Sequence, residues 1–175
     1  MVFCPEARIA LAGGPIDPQA EAMAREHPST SLLVPALLAK WVALLEAHDV
    51  RVPDSLRFVA VGGAAPSAAL VAAAEARGLP VFEGYGLSEC CSVVAMNCPG
   101  VAVPGTVGRV LDGLTVTIED GEIFVEGPTV MEGYLNGPTG PTHWRTGDSG
   151  RFQDGRRVVE GRRRAAGAAH GARPR

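Results

Sequence analysis

The sequence predicts an α/β fold, a layered domain on a parallel sheet followed by a small antiparallel β-unit. Three observations carry this. Up to about residue 100, short apolar strand candidates alternate with alanine- and leucine-rich helical stretches. The strand candidates run into glycine-containing turns at 13–14, 62–63 and 84–86. Beyond residue 100, helical spacing gives way to apolar–polar alternation around an Asp-Gly pair.

Taken in order, "ARIALAGG" (7–14) is a strand candidate ending in a glycine turn, and Asp17-Pro18 opens the helix candidate "QAEAMAREH". "STSLLVP" (29–35) reads as a buried strand that stops before Pro35, and "ALLAKWVALLEAH" (36–48) repeats its apolar residues at helical spacing. "SLRFVAVGG" (55–63) is a strand, "PSAALVAAAEARG" (66–78) a helix with Gly78 at its stop, and "LPVFEGYG" (79–86) the next strand. Strand, helix and strand at this spacing make a βαβ unit and a parallel sheet. "GLTVTIEDGEIFVEG" (113–127) is a hairpin turning at Asp120-Gly121, with further short strands expected in "PGTVGRVL" and "RTGDSGRFQDGRRVVEG". There is no internal repeat.

The chain has 175 residues, 46% hydrophobic and 20% charged, a globular rather than disordered composition. No apolar run approaches the roughly 18 residues of a membrane span, and "MVFCPEARIA" lacks the pattern of a signal peptide. A soluble, cytoplasmic chain is the expectation. Cys4, Cys90, Cys91 and Cys98 form neither a zinc spacing nor a disulfide framework, so free thiols are expected. Charge is unevenly placed: residues 156–175 carry seven Arg against one Glu, net +6, whereas the rest sums to −9. From residue 163, "RRAAGAAHGARPR" has no Val, Leu, Ile or Phe, and disorder is expected over 162–175.

Three motifs carry chemistry. "VGGAAPS" (61–67) ends a strand in bare backbone at the edge where open α/β sheets bind ligands, although taken alone a tight turn with no ligand is the simpler reading. "GYGLSE" (84–89) ends the neighbouring strand. Tyr85 offers a π-face to a base, Ser88 a hydroxyl to a phosphate and Glu89 a carboxylate to Mg²⁺. The bland alternative makes Tyr85 core, Ser88 a cap and Glu89 solvated. In "WRTGDSGR" (144–151), Asp148 has two oxygens for a ribose diol or, more simply, for its own turn.

The order "GGAAP", "GYGLSE", "PGTVGR", "GEIFVEGPTVMEGYL", "WRTGD", "DGRRVVEGR" resembles the AMP-binding, adenylate-forming enzymes, acyl-CoA synthetases in particular, from about residue 7 to residue 164. The resemblance implies ATP and AMP, Mg²⁺ and coenzyme A. It implies an adenine pocket lined by Gly63, Ala64 and Ala65 and a base stacked on Tyr85 between Gly84 and Gly86. Ser88 stands where the family usually has Thr and keeps the phosphate-binding hydroxyl. Glu89 matches the Mg²⁺ glutamate, and Asp148 and Arg162 match the ribose contacts. Ser88 and Glu89 would then be the catalytic pair. The implied reaction joins a carboxylate to the α-phosphate of ATP as acyl-AMP, then to coenzyme A. Residues 1–100 would be the nucleotide-site subdomain, 101–161 a small β-barrel-like subdomain and 162–175 a tail.

Two family parts are not found here. "LAGGPID" (11–17) is not the hydroxyl-rich phosphate loop ending in lysine, and the family's C-terminal lid with its adenylate-forming lysine is not seen, Lys40 being the only lysine. The chain is therefore expected to be a fragment of the large domain, truncated at both ends and inactive alone. Ala165 stands where the hinge aspartate belongs, and the basic tail reads as a frame change in GC-rich DNA, with no nucleic-acid partner invoked. A non-catalytic nucleotide-binding or interaction domain, self-associating through its exposed truncated surface, is the second reading. An enzyme acting on an amino acid or aryl acid is the third. The small apolar residues of "GLSECCSVVAMNCPG" favour an apolar, fatty-type acyl chain.

Overall fold

The computed structural model describes residues 25–48, 51–135, 143–153 and 156–162. The strand expected over 7–14, most of the helix expected over 19–27, Cys4 and the tail 163–175 lie outside the described residues.

The first layer is β1 (Thr30–Leu33), α1 (Pro35–His48), β2 (Phe58–Val61), α2 (Ala68–Ala76) and β3 (Val81–Tyr85). β1 pairs β2 and β2 pairs β3, both parallel. Helix α1 starts on Pro35, whose missing N–H costs nothing in a first turn. Its buried stripe is Leu38, Trp41, Val42 and Leu45, the spacing of one helical face. Ser67 caps α2, its hydroxyl accepting from the Leu70 N–H at 3.2 Å. Gly78, at φ 81°, ends the helix region and donates to the Glu75 carbonyl.

Alternation along β2 sorts its residues. Val59 and Val61 are fully buried among Leu38, Trp41, Leu45, Ala74 and Leu79, whereas Phe58 stacks on Phe82 with ring centroids 4.7 Å apart. Strand β1 departs from expectation. Among the described residues it ends the sheet order, and only one of its faces is covered: Leu33 is buried but Leu32 is 72% exposed.

The sheet continues through two short antiparallel strands, β4 (Ala95–Met96) and β5 (Arg109–Val110), in the order β1-β2-β3-β4-β5. The second sheet is an antiparallel meander of β6 (Thr115–Glu119), β7 (Glu122–Glu126), β8 (His143–Gln153) and β9 (Arg156–Arg162). Asp120 and Gly121 turn the β6–β7 hairpin at φ 49° and 77°, the two positive angles that such a two-residue turn demands.

A second core joins the sheets. Cys90 and Val94, which follow β3, pack with Val116, Ile123 and Val125 of the meander. Tyr85, Leu87 and Trp144 border this core. Among the described residues no helix is long and apolar enough to cross a membrane.

Candidate functional site

The parallel register places the ends of β2 and β3 side by side, with Val61 opposite Glu83. Gly62 lies so close to β3 that a Cβ there would stand 3.7 Å from the Gly84 carbonyl oxygen. Gly63, Ala64 and Ala65 follow as exposed backbone, with Gly63 at φ 81°. They lead into the capped start of α2.

Beyond β3 the chain turns sharply. Ser88–Cys90 forms one 3₁₀ turn, and Cys91 closes it at φ 54°. The returning backbone passes against Gly86, where a Cβ would lie 1.5 Å from the Ser92 carbonyl oxygen. Only glycine fits that approach. The turn leaves Ser88 exposed and Glu89 half-buried. Tyr134 donates its hydroxyl to Glu89 Oε1 at 2.7 Å, and the Met131 N–H donates to the Glu89 carbonyl at 2.8 Å. The segment after β7 is thereby tied across the 3₁₀ turn.

The meander supplies the other half. Tyr85 donates its hydroxyl to Asp148 Oδ2 at 2.7 Å, across 63 residues of sequence. Burial foremost, then the Asp148 carboxylate, pushes the Tyr85 phenol well above its ordinary range. It is thus a neutral donor at physiological pH. Arg162 lies opposite Asp148 in the β8–β9 register.

Of the residues expected from sequence, Gly63, Ala64, Ala65, Gly84, Tyr85, Gly86, Ser88 and Glu89 therefore cluster at two adjacent strand ends. Asp148 meets them through Tyr85, and the backbone of Arg162 faces Asp148. Sequence reasoning missed three supporting residues: Tyr134, Glu122 and Thr146. Glu122 is 3% exposed, its two oxygens paired with Arg145 Nε and Nη2 at 2.8 Å each. The opposite charges of "GEI" and "WRTGD" were the available signal.

Among the described residues no group of three or more His, Cys, Asp or Glu could hold a metal ion. A cation at Glu89 would need oxygens from a ligand. One half-buried carboxylate suits Mg²⁺, which keeps few protein ligands and takes phosphate oxygens of its substrate. The apolar segment "GLSECCSVVAMNCPG" is partly spent on packing, since Cys90, Val94 and Ala95 are fully buried.

Comparison with known proteins gives a consistent picture. The family model described as "AMP-binding enzyme" matches residues 2–135. The chain is 31% identical over 153 residues to a 2-succinylbenzoate–CoA ligase of Bacillus licheniformis, covering 77% of this chain and 32% of the relative. It is 33% identical to the same-named ligase of Bacillus pumilus, over 63% of this chain and 24% of the relative. The chain thus spans a quarter to a third of the length of these curated relatives. Among solved structures, it resembles the O-succinylbenzoate coenzyme A synthetase of Bacillus subtilis in complex with ATP and magnesium ion, with a TM-score of 0.74. That match has 26% identity and covers 85% of this chain and 34% of the other. The same synthetase with its acyl-adenylate intermediate gives a TM-score of 0.75 at 28% identity, over 86% and 34%. The fatty-type acyl chain expected from the apolar segment finds no support, because these relatives are named for a benzoate and Cys90, Val94 and Ala95 of the segment serve the core.

Proposed function

The chain belongs to the AMP-binding enzyme family, and on that premise we propose that its two strand ends and the Asp148 turn form the nucleotide and acyl-adenylate site of a carboxylate–CoA ligase. The observation that carries the reading is the Tyr85–Asp148 contact, which draws "GYGLSE" and "TGD" into one place. Matches to a synthetase named with ATP, magnesium ion and an acyl-adenylate support it.

The roles are those that the family resemblance implies, and the geometry is compatible with them. The backbone of Gly63, Ala64 and Ala65 borders the base, and the half-buried Tyr85 ring forms one wall. Asp148 accepts from the ribose diol, with Arg162 on the facing strand. Ser88 donates its exposed hydroxyl to a phosphate oxygen. Glu89 would hold Mg²⁺, which, when bound, offsets negative charge at the phosphates. In the proposed reaction a carboxylate attacks the α-phosphate of ATP, pyrophosphate leaves, and the coenzyme A thiolate then displaces AMP. The carboxylate is an aryl acid of the 2-succinylbenzoate type, after the curated relatives.

The division into a subdomain over 1–100 and a β-unit over 101–161 belongs to this proposal. So does the expectation that these 175 residues bind nucleotide without turning it over. Lys40, the single lysine, is exposed on α1, and the site described above is charged by the carboxylates of Glu89 and Asp148. Equilibrium dialysis with AMP and Mg·ATP, paired with ATP–pyrophosphate exchange in the presence of 2-succinylbenzoate, tests both parts. Saturable binding without exchange supports the reading. Exchange at the rate of a complete synthetase overturns the inactivity, and no binding to folded protein overturns the site.

A further inference from the structure

Asp148 does not sit in a regular strand. The β7–β8 register pairs Glu122 with Ser149 and Phe124 with Arg145. Residues 146–148 therefore stand opposite Ile123 alone, a bulge that re-aims the side chains it carries. Gly147 takes φ 75° within it. The Thr146 hydroxyl donates to the Ile123 carbonyl at 2.8 Å and accepts the Asp148 N–H at 3.1 Å.

The bulge is gripped from below by a buried charge. Glu122 Oε1 accepts the Gly147 N–H at 3.1 Å and Arg145 Nε at 2.8 Å, while Oε2 accepts Arg145 Nη2 at 2.8 Å. A carboxylate 4% exposed is an expensive way to fill a hairpin position when its partner is 72% exposed. Apolar residues usually stabilise such a site as well or better. What an apolar residue lacks is an acceptor for the Gly147 N–H, one peptide before Asp148.

We propose that Glu122 is a positioning residue for this site: its carboxylate, steadied by Arg145, fixes the Gly147 peptide so that Asp148 meets Tyr85 and faces the ligand's diol. The ligand half of this statement rests on the nucleotide reading, whereas the geometric half does not.

Tyr85 reports the geometry directly. The chain has two tyrosines, so Tyr134→Phe leaves Tyr85 as the single phenol, and its ionisation is followed by the phenolate absorbance. In that background Tyr85 resists ionisation well above the ordinary phenol value of about 10. Glu122→Ala brings its titration back toward the ordinary value, as does the control Asp148→Ala. Glu122→Gln keeps an acceptor for Gly147 but loses the charge, and lies between. Circular dichroism at each pH confirms that folded protein is being read. If Glu122→Ala does not fold, the shift in Glu122→Gln carries the test. Folded Glu122 variants that titrate like the parent overturn the proposal, as does a Tyr85 that titrates normally in the parent. A purely structural Glu122 would lower the melting temperature and leave the titration in place.

The second arm measures AMP affinity with Tyr134 present. Glu122→Ala weakens it about tenfold, and unchanged affinity overturns the positioning role. If the parent itself binds no AMP, the nucleotide reading fails, while the titration still decides the geometry.

Discussion

Replacing Gly86 by alanine tests how closely the loop bearing Ser88 and Glu89 is folded back on β3. The new Cβ would sit 1.5 Å from the Ser92 carbonyl oxygen, 2.5 Å from its carbonyl carbon and 2.8 Å from the Val93 Cα. All three are backbone atoms, so no side chain can swing aside. Non-bonded carbons settle at about 3.5–4.0 Å, and the strands must part by roughly 2 Å. That movement breaks the Val94 N–H to Tyr85 carbonyl bond, now 2.8 Å, and the Ser92 N–H to Leu87 carbonyl bond, now 3.1 Å. Two hydrogen bonds at about 1 kcal/mol each, with overpacking at about 1–3 kcal/mol, give a loss of about 3–5 kcal/mol. The melting temperature falls by on the order of 10 °C. Gly78→Ala is the matched control: φ is 81° but nothing lies within 4 Å of the new Cβ, leaving about 1–2 kcal/mol of backbone strain. Urea unfolding, read by the fluorescence of Trp41 and Trp144, ranks the two. A Gly86→Ala chain no less stable than Gly78→Ala refutes the close approach.

Tyr85 also makes stability depend on pH. Its phenol is raised in the folded chain by burial and Asp148, so its contribution is complete below the unfolded value of about 10 and is lost progressively as pH rises beyond it. Denaturation series across alkaline pH should show this decline, and Tyr85→Phe should remove it. Cys90 is fully buried, and burial foremost, then Glu89 and Cys91, pushes its thiol up to about 11. A thiol reagent near neutral pH should modify exposed Cys91 and Cys98 at least about tenfold faster than Cys90, and mass spectrometry of the digest would reveal any early labelling of Cys90. Tyr134→Phe removes the hydroxyl that donates to Glu89 Oε1, a hydrogen bond that competes with a cation there, so the Mg²⁺ concentration giving half-maximal ATP binding should drop by about threefold. A rise would show that Tyr134 supports the metal instead of competing with it.

Much of the fold was legible because it is local. The stripe Leu38, Trp41, Val42, Leu45 follows from helical spacing, the Ser67 cap from residue type, and the hairpin from Asp120-Gly121. Parallel pairing followed from the βαβ order. The half-exposure of β1 is not legible, because an apolar run does not say whether one face of a strand or both are covered. The candidate site residues stand out as motifs, but the contacts between them do not. Tyr85 and Asp148 are 63 residues apart, and no periodicity announces a hydrogen bond between sheets. Glu122 shares its face of β7 with Phe124 and Glu126, which marks it as solvent-facing. It is buried only because a bulge in β8 folds Arg145 and Gly147 over it.

The most direct test of the account is calorimetric titration of the folded 175-residue chain with AMP, alongside the Asp148→Ala and Tyr85→Ala variants. The account predicts one saturable site per chain in the parent, weakened at least about tenfold in each variant. Contradiction would be a folded parent that shows no saturable binding at millimolar AMP, or variants that bind as tightly as the parent.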